Sequence, residues 1–456
     1  FMRYTTFNIL LTVLLSVTCG FTYSQQSTSH PLSSYGIGDH QLNDHGIYSG
    51  LGNVYTPFLD SGQLNYLNPA SYATMSRGNT LFSVGIGQRI SFYKQGEASD
   101  IRPNGNLNHI ALGFRLKKHF GMAFGLKPLS ASGYYLSEST FTGLDSIRNT
   151  YQGSGYINQV FLGGTYAPIH IKGTYLGFGA NFGYNFGSIK NQRISQLIQG
   201  TNASGGLMEE LMAVNDISFE LGTAFYQQLG QKVDVTLGAT WKPNQSLNST
   251  YERAFFSANN LNSPSTYDTL FTDAYRGTVN QGQALAAGFS LRMFLNPYKR
   301  KTKTLHPELV IAGQFSSTEH NTYAYEGYTY DSLAQQLTNA NRYGFGISFR
   351  PERFLYENIA TLGFFDKFTY RIGGYVGQLP YVDQAKNSFR EQGITLGLGI
   401  PILAQQSFSS INFSCTLGQR GTFVTNGLQE NFVAFQLNAI LSPASFERWF
   451  RKRKMD

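Results

Sequence analysis

Leu176-Gly177-Phe178-Gly179-Ala180-Asn181-Phe182-Gly183-Tyr184-Asn185-Phe186-Gly187 decides how this chain is read. Along an extended backbone, successive side chains point to opposite faces. One face of the stretch is Leu176, Phe178, Ala180, Phe182, Tyr184 and Phe186; the other is glycine and asparagine. The first face suits lipid, and the second leaves room and polarity for a barrel interior.

The same period of two recurs along the chain. Phe82, Val84, Ile86, Ile90 and Phe92 alternate with Ser83, Gly85, Gly87, Arg89 and Ser91. Tyr343, Phe345, Ile347 and Phe349 alternate with Gly344, Gly346, Ser348 and Arg350. Ile411, Phe413, Cys415 and Leu417 alternate with Asn412, Ser414, Thr416 and Gly418, and Val433 to Ala439 repeats the pattern. Runs of this kind predict strands at 80–94, 107–118, 121–137, 156–168, 174–187, 217–229, 232–247, 283–295, 307–320, 342–350, 364–378, 390–403, 409–421 and 431–443. The tenth is the shortest. The expected fold is all-β: a transmembrane antiparallel β-barrel of about fourteen strands over residues 80–443. An even number closes the barrel and leaves no unsatisfied edge in lipid.

Composition agrees. Charged residues make up 14% of the chain, with 49 Gly, 29 Tyr and 36 Phe, yet the hydrophobic fraction is an ordinary 41%. Apolar lipid-facing positions averaged with small or polar interior ones produce that balance. No apolar run in the mature chain reaches the roughly twenty residues of a spanning helix. The net charge of +8 comes without a clustered basic motif in a soluble domain and does not point to nucleic acid.

Residues 1–24 read as a signal peptide: Arg3, then an apolar stretch from Ile9 to Phe21, then small and polar residues, with cleavage expected between Ser24 and Gln25. Cys19 raises a lipoprotein alternative, but Ser16-Val17-Thr18 fits a lipobox poorly. Removal of Cys19 leaves Cys415 alone, so no internal disulfide is expected.

Connections near Lys118–Phe120, Pro168–Gly173, Gly230–Gln231 and Ala404–Phe408 are tight, whereas Ser188–Asp216, Leu247–Gly282 and Asn321–Asn341 are long. Bacterial barrels keep short turns on the periplasmic side and long loops outside. The expected location is therefore the bacterial outer membrane, with both termini periplasmic and membrane lipid as a partner. Two connections, near Asn296–Leu305 and Pro351–Phe364, are long for periplasmic turns, and strict alternation then asks for two strands wrongly split or merged. The basic tail at 444–456, with Arg448, Arg451, Lys452, Arg453 and Lys454, reads as a solvated charge run in the periplasm.

Residues 25–79 are rich in Gly, Ser, Asn and Tyr and have no sustained period. They read either as a free linker or as a plug folded into the interior, which is too wide for strand side chains alone to fill. The segment carries Asn68-Pro69-Ala70 shortly before the first strand. With an exported Gly-rich N-terminus and a fourteen-strand pattern, this arrangement resembles the FadL/TodX family of outer-membrane proteins. The resemblance implies an N-terminal hatch at 25–79 bearing the motif Asn68, Pro69 and Ala70, a hydrophobic small-molecule ligand, and passage through a plugged lumen with a lateral opening. Its alternative implication is a non-transporting accessory subunit or shuttle of an outer-membrane assembly or protein-secretion complex, with an envelope protein complex as partner.

Two local features fit that resemblance. Pro128 interrupts the third strand, and proline belongs at an edge or a bulge because it cannot donate to the ladder. It reads as a lateral gate, as in the resembling family, or as a rim bulge. Leu207, Met208, Leu211 and Met212 sit near helical spacing in the first long loop. They read as an external apolar groove or as packing within the loop. No Gly-x-Ser-x-Gly elbow, His-Glu-x-x-His or P-loop is present, so no catalytic residue, cofactor or metal ligand is assigned and no enzyme is expected.

Overall fold

The structure is a computed structural model describing residues 28–34, 37–40, 45–76, 80–141, 143, 145–198, 204–259, 261, 267–295, 304–305, 307–319, 322–325, 338–351, 353–354, 365–382, 388–402, 409–422 and 427–442. The expected signal peptide and the basic tail lie outside the described residues.

Fourteen strands close into an antiparallel barrel. In chain order they are β1 (Thr80–Gln95), β2 (Ala98–Lys117), β3 (Phe120–Phe141), β4 (Ser146–Ile171), β5 (Thr174–Ile198), β6 (Gly205–Leu229) and β7 (Val233–Lys242 continued by Gln245–Ala258). There follow β8 (Tyr267–Gln281 continued by Ala284–Phe294), β9 (Glu308–Thr318 continued by Thr322–Tyr325), β10 (Ala340–Arg350), β11 (Thr369–Val382), β12 (Ser388–Pro401), β13 (Ser410–Gly421) and β14 (Gln429–Leu441). Pairing of β14 with β1, from Phe82 opposite Leu441 to Lys94 opposite Gln429, closes the ring. The faces fall as the alternation predicts. Phe178, Phe182, Phe345 and Phe413 are exposed on the outer wall, while Asn181, Asn185 and Asn412 are buried inside.

Three expectations are corrected. Ser188–Asp216 and Leu247–Gly282 are mostly not loops; β5 and β6 pair from Thr174 opposite Gln227 as far as Gln196 opposite Gly205, and β7 pairs with β8 up to Ala258 opposite Tyr267. Beyond the membrane both faces of a strand are wet, so the apolar alternation fades while the hydrogen-bond ladder continues. The wall is therefore tall on one side: β4, β5 and β6 have 26, 25 and 25 residues, against 14, 12 and 13 in β12, β13 and β14. That difference is about 40 Å along a strand. Secondly, no strand is split or merged. Every expected strand matches one barrel strand, and the two long connections at the tight-turn end meet in a short pairing of Thr304–Leu305 with Arg353–Phe354. Thirdly, Leu207, Met208, Leu211 and Met212 lie in β6, an extended strand. Their spacing is not helical.

The described residues between 28 and 75 run through the inside of the barrel from one end to the other. Ser29 Oγ is 3.1 Å from the Tyr93 hydroxyl near the end of β1. Arg115, near the tight turn after β2, donates to the Met75 carbonyl. Strand parity puts Thr80 and Leu441 at the tight-turn end, but Thr28 lies at the opposite, tall end. The first and last barrel strands thus have their outer ends on one side, and the described interior segment starts at the other. Parity says nothing about where an interior segment starts.

Candidate functional site

The interior segment builds its own apolar core in the tight-turn half of the barrel. Ile47, Tyr48, Leu51, Val54, Phe58, Leu64, Tyr66, Leu67, Tyr72 and Met75 pack with Leu81, Ala111, Phe161 and Val310 of the wall. Each fully buried side chain of this size contributes roughly 1.5–3 kcal/mol. The wall admits the segment through glycines. A Cβ at Gly179 or Gly222 would run into Pro69, and Gly52, with φ +67°, lies against the β10 and β11 backbone.

Asn68-Pro69-Ala70 is a helix cap. Asn68 has an extended backbone, as a residue before proline prefers, and its side chain accepts from Ala70 N while Pro69 opens a 3-10 turn over Pro69–Thr74. Its Nδ2 donates to the Thr56 carbonyl at 2.7 Å and to Thr223 of β6. Thr165 of β4 donates to the Pro69 carbonyl, and the Tyr175 hydroxyl of β5 to that of Ala70 at 2.5 Å. The motif thus ties the segment to three neighbouring strands.

Pro128 marks where the wall parts. The β2–β3 ladder runs from Lys117 opposite Phe120 to Ile110 opposite Leu126 and goes no further among the described residues. On its other side β3 stays paired with β4, with a register shift between Pro128 and Ser130. The freed edge of β3 takes a new partner: Asp39 lies antiparallel opposite Ala131, and His40 opposite Ser130. Ser33 adds three hydrogen bonds to Ser132 and Gly133. Across the gap, Asn104 of β2 donates to Ser29 at 2.8 Å. The interior segment stitches the parted wall together.

The motif and the bend are not side by side. Pro128 faces Asn158 on β4, whereas the motif meets Thr165. Those seven residues are about 23 Å along the strand.

Above the apolar core, charge holds the segment. Arg420 binds Asp39 at 2.8 Å and Glu391 at 2.8 Å, and Glu391 accepts from the Tyr375 hydroxyl at 2.9 Å. Glu430 accepts from Arg89 at 2.7 Å and Ser91 at 2.6 Å and stands 3.3 Å from His30. At the tight-turn end Asp60 pairs with Arg292 at 3.0 Å. A cavity of about 310 Å³ lies between the segment and the tall end, lined among others by Asp39, Lys127, Glu220, Lys242, Arg342 and Arg420. Pro128 also lines it. Met212 joins Ile37, Ile157, Ile189, Val214, Leu247, Tyr251 and Val279 in a second apolar cluster, and Leu207 is buried. Met208 and Leu211 are partly exposed.

Sequence reasoning did not single out Asp39, Arg420, Glu391, Glu430 and Arg89. Their signal is present: in a chain poor in charge, four of them fall at interior positions of alternating strands.

Fold and interior define a class, an outer-membrane β-barrel threaded by its own N-terminal segment. The BamG family model matches residues 7–456, and the chain belongs to the BamG family. Among solved structures it is similar to the Ralstonia pickettii toluene transporter TbuX, at 15% identity and a TM-score of 0.53 over 87% of this chain and 97% of that one. The P. putida toluene transporter TodX follows at 14% and 0.53 over 87% and 97%. A Pseudomonas aeruginosa FadL homologue is similar at 11% and 0.51 over 87% and 98%. The fold is thus that of the FadL/TodX barrels. No curated protein matches the chain.

Proposed function

We propose that this chain is a sealed, non-transporting barrel that acts as an accessory subunit of an outer-membrane protein complex, with its tall end outside the cell and its strand termini in the periplasm. The observation that carries the reading is the interior segment, which packs an apolar core across the tight-turn half and bridges the parted wall at Ser130 and Ala131. Passage of an apolar compound draws on apolar burial, at about 25 cal/mol per Å². The cavity above the core mixes Ile37, Leu129, Leu285 and Leu379 with Asp39, Lys127, Lys242 and Arg420, and the desolvation of those charged groups opposes an apolar guest. Membership of the BamG family supports a role in an envelope complex. The short tight turns at one end support the orientation.

A second reading, passage of a hydrophobic small molecule, is favoured by one observation: the wall parts at Pro128, and that residue lines the cavity. On this reading Asn68, Pro69 and Ala70 anchor a hatch and Pro128 borders a lateral gate.

Extraction of the tagged full-length protein in mild detergent, followed by identification of bound proteins and small molecules, separates the two. The accessory reading expects an envelope protein at fixed stoichiometry. A bare barrel carrying apolar small molecules would overturn it.

A further inference from the structure

We infer that a groove on the outer wall, across β10 to β14 and the adjoining β1, is a binding site for a bilayer lipid whose chains join its headgroup through ester carbonyls. The inference goes beyond the accessory reading and holds whichever end of the barrel faces outside.

The groove, of about 860 Å³, is formed by two rows of outward side chains in cross-strand register. That volume suits a ligand site, roughly 300–1,000 Å³. One row runs Tyr343, Val376, Gln392, Gln419, Asn431 and Phe92, each opposite the next. The row beside it, on the tight-turn side, is Phe345, Gly374, Ile394, Leu417 and Val433. Gly374 makes the dip. A Cβ there would meet only the Gly393 carbonyl oxygen, at 3.3 Å, so the space between Phe345 and Ile394 is open.

Its level in the wall says what covers it. The next outward row toward the tight turns is apolar: Ile347, Ile372, Leu396, Cys415 and Phe435. The next toward the tall end is polar apart from one glycine: Asn341, Gln378, Arg390, Gly421, Gln429 and Lys94. The groove therefore straddles the edge of the apolar belt, where acyl chains give way to headgroups. Gln392, Gln419 and Asn431 are neighbours on three adjacent strands, and Gln392 donates to Gln419 Oε1 at 3.4 Å. Carboxamide N–H groups seek acceptors, and hydrocarbon offers none. Ester carbonyls at the junction of chain and headgroup supply acceptors at this level, while the chains lie over Gly374, Ile394 and Leu417. A partner strand finds no edge to extend here, because β11 to β14 are paired on both sides through the groove.

The test places the full-length protein in nanodiscs of diether phosphatidylcholine, which lacks the carbonyls, with a trace of diester phosphatidylcholine carrying a diazirine in one chain. Photolabelled residues are mapped by mass spectrometry, and labelling at Ile394 and Leu417 is compared with that at Phe182, an exposed outer-wall residue of β5. The expected result is at least fivefold stronger labelling in the groove. That preference should be lost in Gln392→Leu with Gln419→Leu, which removes two amides and keeps the dip, and in Gly374→Trp, which fills it. Changing the bulk lipid to the diester should lower it at least threefold by competition. Equal labelling at Ile394 and Phe182 in the parent, or a preference that the double variant keeps, would overturn the proposal.

Discussion

Asp39 and Arg420, 381 positions apart in the chain, meet in an ion pair of 2.8 Å inside the barrel. Asp39 belongs to the two-residue strand that fills the parted wall, and Arg420 is shared with Glu391, its cross-strand neighbour on β12. One guanidinium thus ties the stitch in the seam to the β12–β13 wall.

That sharing predicts an asymmetry between the partners. Arg420→Met leaves the buried Glu391 and the partly buried Asp39 without their cation and should cost about 3–5 kcal/mol, the usual consequence of removing one member of a buried charge cluster. Asp39→Asn leaves Arg420 its Glu391 bond and should cost clearly less. Reversible urea unfolding in lipid vesicles measures both; equal losses would show that Arg420 does not carry the cluster.

Phe413 and Asn412 test the wall from both sides. Phe413→Arg places a charge in lipid and should cost about 2–4 kcal/mol near the midplane. Asn412 is buried and accepts from Arg371 Nη1 at 3.2 Å, beneath the interior segment at Gly46. A second arginine there meets both a packed interior and a like charge, so Asn412→Arg should cost at least as much. A much smaller loss at Asn412 would mean that the interior at this level is open to water.

Pro128→Val adds a backbone donor where β3 has no ladder partner on β2, so it does not zip the seam. Stability should change by less than about 1 kcal/mol, as at positions away from packed features. Uptake of toluene by cells expressing the variant should match the parent. A fall in uptake would support the lateral-gate reading.

Orientation is tested by tags. Insertions near Thr201 and Pro264, between strands at the tall end, should be labelled on intact cells, and a C-terminal tag should not. Labelling of the C-terminal tag alone would invert the barrel in the membrane.

Alternation at 176–187 and four similar runs carried the strand number and the faces, because lipid on one side and an interior on the other impose a period of two. The same signal stops where both faces are wet, which is why the outer halves of β5, β6 and β7 read as loops. It showed that Asn412 points inward but not that Gly46 lies on top of it. Contacts of a segment without a period, such as Asp39 with Arg420 or Ser33 with Gly133, join distant positions and leave no local trace. Asn68-Pro69-Ala70 was legible as a motif shortly before the first strand, but that it caps the 3-10 turn Pro69–Thr74 emerged only from the structure, and its distance from Pro128 is set by how the segment threads the barrel.

The claim on which the rest depends is that the interior segment seals the tight-turn half of the barrel. Single-channel recording of the purified protein in planar lipid bilayers tests it most directly. The account predicts no ionic conductance from the parent protein, and channel openings once Arg420→Met loosens the segment. Steady ohmic conductance of the parent, unchanged in that variant, would contradict it.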